Sequence, residues 1–117
     1  MTTPTSIQPA QLPAMIRGYL AAHAARDTEA ALRAFASTAV VVDEGRVFRG
    51  TDEIRGFLRE AGAEFSYTTE LIGARRIDDA SWVATNRLEG DFPSGVAELN
   101  YRFTIDGDLI TKLVIAP

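Results

Sequence analysis

Near residue 64 the spacing of apolar side chains changes from three or four residues to two, and few folds place that switch there. Upstream, Leu12, Met15, Ile16, Tyr19, Leu20 and His23 recur at helical spacing and mark one buried stripe of a first helix. Pro13 suits the first turn of that helix, where its missing N–H costs nothing. Asp27 is a natural N-cap for a second helix over 28–36, whose narrow apolar edge is Leu32 and Phe35. Gly50-Thr51-Asp52-Glu53 then supplies a break, a cap and first-turn acids. The third helix that follows buries Ile54, Phe57 and Leu58 and ends at Gly62.

Downstream the residues alternate. Phe65, Tyr67, Thr69 and Leu71 oppose Glu64, Ser66, Thr68 and Glu70, and Trp82, Ala84, Asn86 and Leu88 oppose Val83, Thr85, Arg87 and Glu89. Ala97, Leu99, Tyr101, Phe103 and Ile105 repeat the pattern before a last strand over 109–115. Asp78-Asp79, Pro93-Ser94-Gly95 and Asp106-Gly107 are the turns, the last a strong hairpin signal. Helices first and antiparallel strands after make an α+β chain and not a βαβ one. The sheet has one apolar face for the helices to cover and one polar face of Glu, Thr, Asn and Arg.

The stretch AVVVDEGRVFRG over 39–50 admits two readings. Asp43-Glu44-Gly45 has hairpin-tip composition, so Asp43 is a turn residue. Alternatively Asp43 stands at a cavity mouth as a carboxylate that handles protons.

At 117 residues the chain is one domain, read here as a disordered leader over 1–8 and a single domain over 9–117. A net charge of −4 argues against nucleic acid as a partner, because phosphate binding needs a basic face. No stretch reaches the roughly 20 apolar residues of a membrane span. The opening MTTPTSIQPAQLP lacks the basic start and apolar core of a signal peptide, so a cytoplasmic protein is expected. There is no cysteine and only one histidine, and the carboxylates have no ligand spacing, so no metal site is expected. Arginine outnumbers lysine, whose single example is Lys112, as in proteins of GC-rich bacterial genomes.

Specific stretches carry a resemblance: Tyr19-Leu20, Arg26-Asp27-Thr28-Glu29-Ala30, Phe35-Ala36, Ala39-Val40-Val41-Val42-Asp43 and Phe48-Arg49-Gly50-Thr51-Asp52-Glu53-Ile54. With the order of elements, they make the chain resemble the nuclear transport factor 2-like superfamily, in its SnoaL-like and ketosteroid isomerase-like branch. The resemblance covers roughly residues 9–116. It implies a cystatin-like cone, with three N-terminal helices packed in the concave face of a curved, mostly antiparallel sheet.

Against ketosteroid isomerase, residues 18–43 run without a gap. Tyr19 falls on that family's oxyanion-donating tyrosine and Asp43 on its general base. Such a pair suits proton transfer beside a carbonyl, the carboxylate taking the proton while the phenol donates to the enolate oxygen. The family's second donor position falls on Leu99, which cannot donate.

The resemblance therefore implies an apolar pocket for a small hydrophobic metabolite. Asp43 and Tyr19 would be catalytic, and His23, Phe57, Tyr67, Trp82, Leu99 and Tyr101 would line the pocket, with no cofactor. Each residue also has a plain reading. Tyr19 and most of the aromatics would be core, and His23 a structural residue favoured as a cation at a helix C-terminus. A non-catalytic binding or association domain on the same fold is the alternative function. The family also implies a homodimer through the polar sheet face, with neither nucleic acid nor membrane as partner.

Overall fold

The computed structural model describes residues 5–61, 67–91 and 95–117, the side chains of Ala61 and Tyr67 excepted. The expected leader is corrected at its end: Thr5–Ile7 form a short strand, β1, paired antiparallel with residues 74–76. An open strand edge presents unpaired N–H and C=O groups, and this segment satisfies them while Ile7 packs on the core. A 3₁₀ turn at Pro9–Gln11 follows, its first N–H donated by Gln8 to Gln11 Oε1 at 2.8 Å.

Helix α1 (Ala14–Ala24) starts behind Pro13, which serves as its N-cap. The next helix, α2 (Thr28–Leu32), is capped as expected, Asp27 Oδ1 accepting from the Ala30 N–H at 3.1 Å. It stops four residues short of the expected 36. Strand β2 (Phe35–Asp43) begins there instead, with Phe35 opposite Ile110 and the Ile110 N–H donating to the Ala34 carbonyl at 2.8 Å. Tertiary pairing of the Val-rich run outweighs the helix preference of Ala34 and Ala36.

Glu44 and Gly45, with φ +50° and +88°, make a two-residue hairpin turn into β3 (Arg46–Arg49). Gly50, at φ +79°, swings the chain into α3 (Gly50–Ala61), where Glu53 accepts the Arg49 N–H at 3.0 Å. The expected helix end at Gly62 and the first strand residues, 64–66, lie outside the described residues, as do Pro93 and Ser94 of the expected turn. The remaining strands are β4 (Tyr67–Arg76), β5 (Ser81–Gly90), β6 (Val96–Asp106) and β7 (Leu109–Ala116).

The seven strands form one sheet in the order β1-β4-β5-β6-β7-β2-β3. Every neighbouring pair is antiparallel except β2 with β7. The three helices pack on its concave face, an α+β cone. Two inward rows follow from the registers: Asp43, Ile115, Tyr101, Ala84 and Ala74, then Val41, Leu113, Phe103, Trp82 and Arg76.

Tyr19, Ile16, Ile54, Phe103, Ile110 and Leu113 are fully buried between helices and sheet. Each such side chain contributes about 1.5–3 kcal/mol relative to exposure. The opposite face carries Arg75, Val83, Arg102, Val114 and Val42 in one row, and Lys112 points outward beside it.

Candidate functional site

Four-residue spacing sets Tyr19 and His23 one turn apart on the inner face of α1. Their rings stack with centroids 5.7 Å apart and planes 7° off parallel. Phe35 and Phe103 meet the Tyr19 ring edge-on at 5.3 and 5.6 Å, and Tyr101 lies 6.5 Å from His23. Tyr19 is therefore 0% exposed. Burial, reinforced by the Arg26 charge, holds the His23 pKa below its ordinary value. This corrects the expectation of a cationic histidine: desolvation outweighs the pull of the helix C-terminus. Beside His23, between Asp27, Thr28, Ala31 and Leu58, is a void of about 10 Å³, room for one water.

Asp43 turns out to combine both sequence readings. It closes β2 next to the hairpin turn, yet its side chain falls on the inner row with Ile115 and Tyr101. Two strand spacings, roughly 10 Å, separate its backbone from that of Tyr101. Half-burial raises its pKa, Glu44 adds to the effect, and Arg46 opposes it.

The other candidates disperse. Phe57 packs on Phe48 at 5.0 Å and is 4% exposed, a core contact under α3. Trp82 lies under the Arg76 guanidinium at 5.9 Å, one row beyond the Tyr101 row. Leu99 is half-buried opposite Asn86. The side chain of Tyr67 lies outside the described residues. Tyr19, His23 and Tyr101 thus come together, with Asp43 on Tyr101's row, while Phe57 and Trp82 stand apart.

A larger opening lies on the other side of α1. Arg17, Leu20, Ala21 and Ala24 face Thr69 and Leu71 of β4 and Asn86 of β5 across a cavity of about 420 Å³, closed at one end by Pro9 and Ala10. Of the expected pocket residues, His23, Phe57, Trp82, Leu99 and Tyr101 do not line it, and the side chain of Tyr67 lies outside the described residues. Its signal in the sequence was Asn86, an amide on the inward register between Ala84 and Leu88, which is 2% exposed here. Among the described residues no group of three or more His, Cys, Asp or Glu side chains could hold a metal ion, and no helix is long and apolar enough to cross a membrane.

Solved structures share this architecture. A candidate polyketide cyclase from Sinorhizobium meliloti is 31% identical with a TM-score of 0.86, over 94% of this chain and 100% of that one. A protein from Sphaerobacter thermophilus is 28% identical with a TM-score of 0.75, over 87% and 91% of the two chains. A protein of ketosteroid isomerase-like fold from Catenulispora acidiphila, in complex with trimethylamine, shares the fold at 17% identity, with a TM-score of 0.78 over 90% and 85%. No family model and no curated protein matches the chain. Three helices packed on a curved seven-stranded sheet define the class. The chain belongs to the nuclear transport factor 2-like superfamily, in its SnoaL-like, ketosteroid isomerase-like branch.

Proposed function

We propose that this protein binds a small, mostly apolar molecule in the cleft between α1 and strands β4–β5. The observation that carries the reading is the cavity of about 420 Å³ with apolar walls and few polar groups. That volume lies within the roughly 300–1,000 Å³ of ligand pockets, and convergent polar groups on apolar walls are their usual lining. Titration of ¹⁵N-labelled protein with small ketones and aromatic acids should move the Leu20, Ala21 and Leu71 amides saturably. Shifts confined to the outer sheet face would reject the reading.

A second reading has its own support. Asp43 faces the core with a raised pKa, as a base near an apolar site does. In it Asp43 removes a proton beside a carbonyl and Tyr19 donates to the enolate oxygen, giving isomerisation, aldol-type cyclisation or dehydration. Tyr19 is covered by Phe35, Phe103 and His23, so its ring stack has to open when substrate enters. With leucine at position 99, Tyr19 would be the one donor, and loss of one such donor lowers rates by about 10²–10³. Deuterium exchange at the α-carbon of a bound ketone should vanish in Asp43→Asn; exchange at the wild-type rate would end this mechanism.

The outer sheet face is also the surface we assign to homodimerisation. Val83 is buried there between Arg75 and Arg102, while Glu70, Arg87 and Glu98 form a mixed row further along. Two copies packed in opposite senses would set basic end against acidic end. Sedimentation at micromolar concentration should give the dimer mass, and a monomer would refute the assignment.

A further inference from the structure

Arg17 stands at one end of the α1 cleft with half of its side chain already fixed. Its Nε donates to the Leu12 carbonyl at 3.0 Å, which orients the guanidinium and leaves its terminal nitrogens available. Among the described residues no carboxylate pairs with it, although Arg46, Arg55, Arg76 and Arg87 all have acidic partners.

Asn86, on the sheet side, is 2% exposed and lines the same cavity, so its amide is one of the few polar groups that a ligand there would meet. A ligand that bonds this amide is favoured over one that covers it without a hydrogen bond. Thr69 adds a hydroxyl to the lining, and the other walls are mainly Leu20, Ala21, Ala24 and Leu71.

We infer that the cleft takes a small amphipathic monocarboxylic acid, its carboxylate on the Arg17 fork and a hydroxyl or carbonyl on Asn86. The inference rests on the reading of this cleft as the binding site. A planar carboxylate matches two parallel N–H donors. A phosphate or dicarboxylate fits worse. Arg17 is the only cation lining the cleft among the described residues, so further anionic oxygens would be desolvated against alanine and leucine. The cleft follows α1 from Arg17 to Ala24, roughly 10 Å of helix, long enough for one ring and a short chain.

The test uses 3-(4-hydroxyphenyl)propionate, its primary amide, and 3-phenylpropionate, titrated into the full chain by calorimetry and NMR. The hydroxylated acid should bind at least about tenfold tighter than its amide, the usual scale of one charge-assisted contact. Arg17→Met should erase that preference while leaving the amide's affinity unchanged, and Arg17→Lys should retain part of it. Arg17 is exposed, so the fold should survive either change. Equal affinity for acid and amide in the wild type, with Leu20 and Ala21 shifts intact, overturns the carboxylate inference and leaves the cleft reading standing. An acid preference that persists in Arg17→Met places the anion elsewhere and overturns it too. Equal affinity for the hydroxylated and plain acids removes Asn86 from the inference. Failure of all three probes to move the cleft amides at millimolar concentration removes both inference and cleft.

Discussion

Helix α1 has two working sides, built to opposite ends. On one, Tyr19 and His23 fill the space with stacked rings that Phe35, Phe103 and Tyr101 enclose. On the other, Ala21 and Ala24 stop short of the sheet, and a cavity of about 420 Å³ remains. The same helix and sheet bound both sides, with large rings in the closed layer and small alanines beside the open one. In this chain the position that resembles a catalytic tyrosine has been packed into the core, and the open volume lies one helix face away.

Truncation should expose the difference most strongly. Tyr19→Ala should cost about 3–5 kcal/mol, as for other fully buried aromatics, and Leu20→Ala, beside the cavity, about 1 kcal/mol. Urea midpoints measure both, and equal losses would erase the contrast. Filling comes next. Ala21→Phe should lower affinity for 3-(4-hydroxyphenyl)propionate at least about tenfold while shifting stability by under about 1 kcal/mol. A large loss of stability would mean that the cleft is already occupied by packing.

The pH responses are smaller and opposite in sign. Burial lowers the His23 pKa in the folded chain, so the unfolded chain takes up that proton more readily. Stability should therefore fall as pH drops through the ordinary histidine value of 6.5, and His23→Gln should flatten that fall in thermal melts. Asp43 runs the other way, because burial raises its pKa and the folded form holds the proton more tightly. Its ionisation costs stability as pH rises through the carboxylate range, so Asp43→Asn should raise Tm at about pH 7 and leave it unchanged at about pH 3. A lower Tm at neutral pH would show the carboxylate to be held by interactions that favour its charge.

Local rules account for what the sequence revealed. The change of period separated helices from strands, Asp27 marked its helix start, and Glu44-Gly45 and Asp106-Gly107 marked hairpins, all signals that lie within a few residues. Misreadings came where distant chain decided. Ala34 and Ala36 favour helix, but Ile110 captures the Ala34 carbonyl, and Thr5–Ile7 become a strand only because β4 offers an edge. The site divided likewise. Tyr19, His23 and Tyr101 could be placed together from periodicity and resemblance, while a cavity-facing Asp43 was implied by the resemblance alone. The α1 cleft is a gap, and a gap is set by how far two surfaces stand apart, which no short pattern records. Asn86 alone hinted at it, as an amide where the alternation called for an apolar side chain.

The parallel pairing of β2 with β7 has a kinetic consequence. β7 follows every other described strand in the chain, yet in the sheet it sits between β6 and β2. During synthesis the β2–β3 hairpin and the helices resting on it have no seat in the sheet until β7 leaves the ribosome. Such long-range closure folds slowly, because the entropy of a large loop is spent before its contacts form. A chain cut before Leu109 would not merely lose an edge. It would come apart down the middle, with Tyr101 on one half and Asp43 on the other.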